Sequence, residues 1–223
     1  MIRITTGKAQ QKTVPKTRHW QVAASGPPNP KIFQIGFNRC GTSSLYNFFL
    51  DNNIRATHWH GGEIGLEIAR NARIEQRLLG PYEDRFDAFT DMEEHHTQSF
   101  GPHHFKQLHK EHPTGFFILN TRPVDKWVKS RFNLHKGKFA QECSEALRLP
   151  PEQLEAFWIA EWHSHHQRVK EHFKDYTRFL VFDIETDDGN VLRDFLSAEY
   201  DLDPAHWGHH FPTPTVEPAE PAP

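Results

Sequence analysis

The amino-acid sequence predicts one three-layer α/β/α domain built on a mostly parallel central sheet. Three observations carry that expectation. Short apolar runs alternate with segments of helical period along most of the chain, the pattern of repeated strand–helix units. The run Phe116–Phe117–Ile118–Leu119 is continuously apolar, which suits a strand covered on both faces. At 223 residues, with 36% hydrophobic and 25% charged residues, the chain has the length and composition for one such domain with a substantial core.

The elements follow in order. Residues 1–30 are polar and end in Gly26–Pro27–Pro28–Asn29–Pro30, so they read as a loosely ordered leader before a domain spanning 31–211. Lys31–Ile35 is a short apolar strand. Thr42–Leu50 is a helix with Leu45, Phe48 and Phe49 on one face. Ile54–Trp59 is a second strand. Gly62–Leu79 reads as a helix that buries Ile64, Ile68 and Leu78. Phe86–Thr90 is a third strand, and Pro102–Lys110 a short helix. Gly115–Asn120 is a buried strand, followed by a helix over Val124–Phe132. Pro151–Phe173 is the longest helix, with Leu154, Trp158, Trp162, Val169 and Phe173 near helical spacing on one face. Arg178–Asp183 is the last strand and Asn190–Leu196 the last helix. The tail 212–223, rich in Pro, Glu and Ala, is expected to be disordered. No internal repeat is present.

Composition excludes several function classes. A net charge of −3 argues against a nucleic-acid binder, which normally shows a basic footprint, and leaves room for a local cationic pocket. Two cysteines, Cys40 and Cys143, cannot make a disulfide framework, which fits a reducing compartment. The first eight residues lack an apolar core, so no secretory signal is expected. No apolar run approaches the ~20 residues that span a bilayer. A cytoplasmic location is the expectation.

The most informative stretch is Ile35–Gly36–Phe37–Asn38–Arg39–Cys40–Gly41–Thr42–Ser43–Ser44–Leu45. A buried strand runs into a Gly-containing loop and then a helix. That arrangement aims backbone N–H groups and a helix N-terminus at one point, which suits an anion. Gly36 and Gly41 permit the tight turn, Thr42 and Ser43 offer hydroxyls, and Arg39 supplies a fixed positive charge. The Gly36-to-Gly41 spacing matches the start of a Walker A motif, but Thr42 stands where that motif has its lysine. The lysine reaches the β- and γ-phosphates in nucleotide-hydrolysing proteins, so a nucleotide kinase is a minor alternative.

Arg39–Cys40–Gly41–Thr42–Ser43–Ser44–Leu45 resembles the 5′-phosphosulfate loop of sulfotransferases that use 3′-phosphoadenosine 5′-phosphosulfate (PAPS). The resemblance puts Arg39 at the basic position that contacts the 5′-phosphate and bridging oxygen, and Thr42 and Ser43 at the phosphate-binding hydroxyls. Cytosolic members often carry a Trp at the position of Ser44. The serine here is closer to bacterial and Golgi-type branches. A second segment, Thr121–Arg122–Pro123–Val124 through Ser130, resembles the family's 3′-phosphate site. Arg122 and Ser130 match its two phosphate-binding positions. They stand eight residues apart, just over two helical turns, which turns both toward one side. Lys129 and Arg131 read as solvated surface residues. Phe179–Leu180–Val181–Phe182–Asp183 with Leu192–Leu196 resembles the family's closing strand and helix.

The resemblance implies an enzyme that moves a sulfuryl group from PAPS to a hydroxyl of a carbohydrate, lipid or small-molecule acceptor. Adenosine 3′,5′-bisphosphate is the product and no metal is needed. Cytosolic members place a catalytic His at the end of the strand before the 3′-phosphate strand. Asp91 takes that place here and is the favoured base, with Glu93 second. A carboxylate in a closed pocket can have its pKa raised toward neutrality. His58 and His60 follow the second strand, where they could meet an acceptor. His163 and His166 are spaced to share a metal, but no carboxylate or cysteine accompanies them at a recognised spacing. A non-catalytic nucleotide- or glycan-binding protein on the same fold is the alternative from a different class.

Overall fold

The computed structural model of the chain describes residues 29–94 and 99–208. The leader up to residue 28, residues 209–211 of the expected domain and the tail 212–223 lie outside these. Strand β1 (Ile32–Gln34) leads into α1 (Thr42–Asp51), β2 (Ala56–His58), α2 (Glu63–Arg73) and β3 (Ala88–Thr90). A hairpin of β4 (Glu93–Glu94) and β5 (Ser99–Phe100) follows, then α3 (Phe105–Glu111). The second half runs β6 (Phe116–Thr121), α4 (Val124–Asn133), α5 (Lys138–Leu147), α6 (Pro151–Phe173), β7 (Phe179–Asp183) and α7 (Gly189–Leu196).

Five strands form one sheet in the order β2-β3-β1-β6-β7, and every pairing in it is parallel. Their side chains alternate between two buried faces because successive residues of a strand point opposite ways. Ile32, Ala88, Phe116, Ile118 and Phe182 point to one face, where Leu45, Phe48 and Phe49 of α1 and Leu192 and Leu196 of α7 cover them. Phe33, Phe89, Phe117 and Leu119 point to the other, under Ile64 and Ile68 of α2, Phe105 and Leu108 of α3, and Val169 and Phe173 of α6. This is the expected three-layer α/β/α arrangement. A third apolar cluster sits beyond the sheet, where α4, α5 and α6 meet through Trp127, Val128, Phe139, Cys143, Trp158 and Trp162.

The strand order reverses at β1. Its chain successor β2 lies on one side and β6 on the other, so the crevice for a ligand opens at the carboxyl ends of β1, β3 and β6.

Three sequence expectations need correction, and two elements are additions to them. The helix expected over Gly62–Leu79 stops at Arg73. Glu75 takes a left-handed φ of 56°, and the Asn71 side chain turns back to donate to the Arg77 and Leu78 carbonyls. Leu78 still reaches the core, on a turn. The expected helix 102–110 opens as a tighter turn over Gly101–His104 before α3. Helix α5 and the β4–β5 hairpin were not foreseen. Arg131 is not a solvated surface residue: it is 1% exposed and enclosed by aromatic rings. Lys129 is exposed as expected.

Candidate active site

The loop between β1 and α1 is held from behind by two polar side chains in otherwise apolar strands. Gln34 and Asn120 are both fully buried. Asn120 Oδ1 accepts from the Gly36 N–H at 3.0 Å and from Gln34 Nε2 at 2.6 Å. Asn120 Nδ2 donates to the Cys40 carbonyl at 2.7 Å and the Phe37 carbonyl at 3.3 Å. Trp127 Nε1 donates to the Asn38 carbonyl at 2.9 Å, and Arg122 Nη1 to the Arg39 carbonyl at 3.1 Å. The carbonyls of residues 37–40 are therefore all engaged on the protein side. A loop whose carbonyls are turned away in this manner can present its N–H dipoles to an anion. A Cβ on Gly36 would land on the oxygens of Asn120, so only glycine fits there. Gly41 takes φ 72° at the start of α1, and no side chain caps that helix N-terminus.

Three strand exits bring charge to this loop. From β1, Arg39 sits at φ 62° and donates from Nε to Ser130 Oγ of α4 at 3.0 Å. From β6, Arg122 reaches the loop backbone and also donates to Glu185 at 2.7 Å. Lys126 is a second partner of Glu185, and the two cations hold that carboxyl below the usual carboxylate range. From β3, Asp91 takes φ 51°, its N–H donating to Gln34 Oε1 at 2.7 Å. Non-glycine residues in left-handed backbone gather where the surrounding structure over-determines them, often at functional sites.

Arg39, Arg122 and Ser130, which the sequence placed on two separate phosphate contacts, thus meet around one loop. Thr42 and Ser43 lie at the start of α1, and His58 from β2 joins them. Its Nε2 is 3.2 Å from both Thr42 Oγ1 and Ser43 Oγ and 3.5 Å from Asp91 Oδ2. Burial pushes its pKa down to about 4, so it is neutral at pH 7. The run Trp59–Gly62 that follows has four consecutive positive φ values and turns His60 outward, to Glu63 at 3.4 Å and the Tyr82 and Phe86 rings.

The two candidate carboxyls differ. Asp91 is 15% exposed in its side chain, beside His58. Glu93 is 3% exposed and accepts the Asn38 N–H at 2.7 Å. Burial raises the pKa of both toward neutrality, opposed by Arg131 on both and by Arg39 on Asp91. Cys40 is buried and its thiol is pushed far up by burial, which makes it a backbone member of the loop and no nucleophile. Ser44 is buried at the base of the loop.

His163 and His166 do not share a ligand. His166 is buried against Trp162 O and Thr121 Oγ1, whereas His163 is exposed. Among the described residues no group of three His, Cys, Asp or Glu could hold a metal ion. No helix of the described residues is long and apolar enough to cross a membrane. The sequence reading missed Gln34, Asn120 and Glu185. A Gln and an Asn inside apolar strands were the available signal, since buried polar groups must find partners.

The family model described as a sulfotransferase domain matches residues 31–179, more than half of the chain. No curated protein matches it. Among solved structures, the chain is similar to a sulfotransferase from Alicyclobacillus acidocaldarius at 15% identity, covering 83% of this chain and 87% of that chain, with a TM-score of 0.49.

Proposed function

Because the chain belongs to the sulfotransferase domain family, we propose that it moves a sulfuryl group from PAPS to a hydroxyl of a carbohydrate, lipid or small-molecule acceptor. The observation that carries the reading is the convergence of two strand exits on one loop, with Arg122 donating to the Arg39 carbonyl and Arg39 to Ser130. Two guanidinium groups brought to one loop from separate strands suit a nucleoside with phosphates at both ends. In this reading Arg39, Gly41, Thr42, Ser43 and the N-terminus of α1 take the 5′-phosphosulfate, Cys40 and Ser44 shape the loop, and Arg122 and Ser130 take the 3′-phosphate.

The chemistry is an in-line displacement at sulfur. A bond forms from the acceptor oxygen to sulfur while the bond from sulfur to the 5′-phosphate oxygen breaks. The acceptor proton passes to the Asp91 carboxylate. The leaving group is adenosine 3′,5′-bisphosphate, whose new charge meets Arg39 and the α1 dipole. No redox step or metal is required. Glu93, enclosed and bonded to the Asn38 N–H, is poorly placed to meet an acceptor. A second reading makes His58 the base with Asp91 as its partner, favoured by their 3.5 Å contact. A histidine held near 4 is a weak base at pH 7, whereas a carboxylate raised toward neutrality is matched to it. Asp91 is therefore the stronger assignment.

The test supplies PAPS with a mixture of hydroxyl acceptors and follows release of adenosine 3′,5′-bisphosphate. Acceptor-dependent release is expected. Tight binding of the bisphosphate with no release under any acceptor would leave a non-catalytic nucleotide binder instead.

A further inference from the structure

His58 closes β2 at a point where three oxygens meet. It pairs in register with Thr90 of β3, which brings its ring to the strand exit beside Asp91. The Tyr46 ring of α1 lies 5.5 Å from it. Its Nε2 is 3.2 Å from Thr42 Oγ1, 3.2 Å from Ser43 Oγ and 3.5 Å from Asp91 Oδ2. Neither hydroxyl has another hydrogen-bond partner among the described residues. One ring nitrogen therefore governs the direction of both hydroxyls that open α1.

A neutral imidazole carries its one proton on either nitrogen, and the two forms aim the hydroxyls differently. With Nε2 bare, its single lone pair accepts from a hydroxyl, whose hydrogen is then turned toward the ring. With the proton on Nε2, the N–H donates, the hydroxyl oxygens accept, and both hydroxyl hydrogens are left for other acceptors. Thr42 and Ser43 are the first two residues of α1, the end of a helix that favours an anion. Asp91 selects between the two forms. A carboxylate only accepts, so an ionised Asp91 is repelled by a bare nitrogen and attracted by an N–H. Burial keeps the ring neutral at pH 7, so the choice is one of tautomer and not of charge.

We propose that His58 is a positioning residue that carries its proton on Nε2 and so frees the Thr42 and Ser43 hydroxyls to donate to the phosphosulfate end of the donor nucleotide. The inference rests on the reading above for the identity of that anion and for the ionised Asp91. It removes His58 from the choice of base: a nitrogen that holds a proton toward Asp91 cannot take one from an acceptor. A bound phosphate favours the same tautomer, because hydroxyls that donate to it are strengthened by accepting from Nε2–H. Loss of Asp91 alone therefore leaves donor affinity near that of the parent.

The test reads the His58 ring nitrogens by nitrogen-15 NMR in the full chain saturated with adenosine 3′,5′-bisphosphate, beside calorimetry and kinetics on two variants. His58→Phe keeps a ring against Tyr46 and removes the nitrogen, whereas His58→Gln supplies an amide donor at about the same reach. The bound parent is expected to show a protonated Nε2 and a bare Nδ1. H58F binds the bisphosphate ~5-fold or more weakly, with the loss in KM for PAPS rather than in kcat, and H58Q recovers most of it. A proton on Nδ1 in the bound parent overturns the proposal. So does H58F with a lowered melting temperature and unmoved affinity, the result of a merely structural histidine. A fall in kcat of about 100-fold or more in both variants at unmoved affinity overturns it as well, because His58 is then the base. If H58F does not fold, the tautomer of the parent and the affinity of H58Q decide. A bisphosphate that does not bind the parent overturns the reading above and this inference with it. Binding and a protonated Nε2 without turnover of PAPS lose the proposed reaction and keep this inference.

Discussion

Replacing Asn120 by Ala removes one buried side chain that serves four bonds. The Gly36 N–H and the Cys40 and Phe37 carbonyls lose their side-chain partner, while Gln34 Nε2 keeps the Gly36 carbonyl at 2.5 Å. The site is fully buried, so water does not readily take over. Stranding a buried backbone group costs about 1–3 kcal/mol. The Phe37 bond is the longest of the set and counts least, so the expected loss is about 3–6 kcal/mol. That is a large share of the ~5–15 kcal/mol by which domains of this kind are stable. Urea denaturation followed by tryptophan fluorescence measures it. Gln141→Ala, an exposed change on α5, serves as control and should cost about 0.5 kcal/mol or less. N120A within 1 kcal/mol of the parent, with its affinity for adenosine 3′,5′-bisphosphate intact, would refute the claim that Asn120 organises the loop.

Four further outcomes follow from the site. Arg122→Ala weakens binding of adenosine 3′,5′-bisphosphate by about 1.5–3 kcal/mol in calorimetry, the usual worth of a hydrogen bond to a charged group. Glu185→Gln tightens the same binding by about 1 kcal/mol or less, because it removes a carboxylate that competes for Arg122 at the protein surface. Asp91→Ala abolishes turnover while donor affinity stays near that of the parent, and in the unmodified chain turnover rises as pH passes upward through neutrality, where Asp91 loses its proton. Asp91→Asn stabilises the fold more at pH 8 than at pH 5. A carboxyl raised in the folded state contributes stability at low pH that is lost as pH climbs through its folded pKa, and Asn escapes that loss. Equal effects at both pH values in thermal melts would contradict the raised carboxyl.

Local features of this fold were legible in the sequence and remote pairings were not. The strand–loop–helix at Gly36–Gly41 and the Arg122-to-Ser130 spacing are short-range patterns, so the elements that carry them stand where they were expected. The long helix Pro151–Phe173 matches end to end because a proline starts it and its apolar face repeats over six turns. The end of α2 was missed because Asn71 and Glu75, not a Gly or Pro, turn the chain there. Arg131 read as surface because an arginine on a helix beside Lys129 usually is. Its burial follows from α5 and α6 bringing Phe139 and Trp158 over it, contacts remote in sequence. Asp91 and Glu93 were read as rival bases. The hairpin β4–β5 separates them, leaving Asp91 at a strand exit and enclosing Glu93 against Asn38.

One doubly phosphorylated nucleoside is proposed to span the Arg39 loop and Arg122. A crystal structure with adenosine 3′,5′-bisphosphate tests it most directly. The 5′-phosphate is expected against Thr42, Ser43 and the start of α1, with the 3′-phosphate on Arg122 and Ser130. A nucleotide bound elsewhere, or one seated with Arg122 still closed on Glu185 and touching neither phosphate, contradicts it.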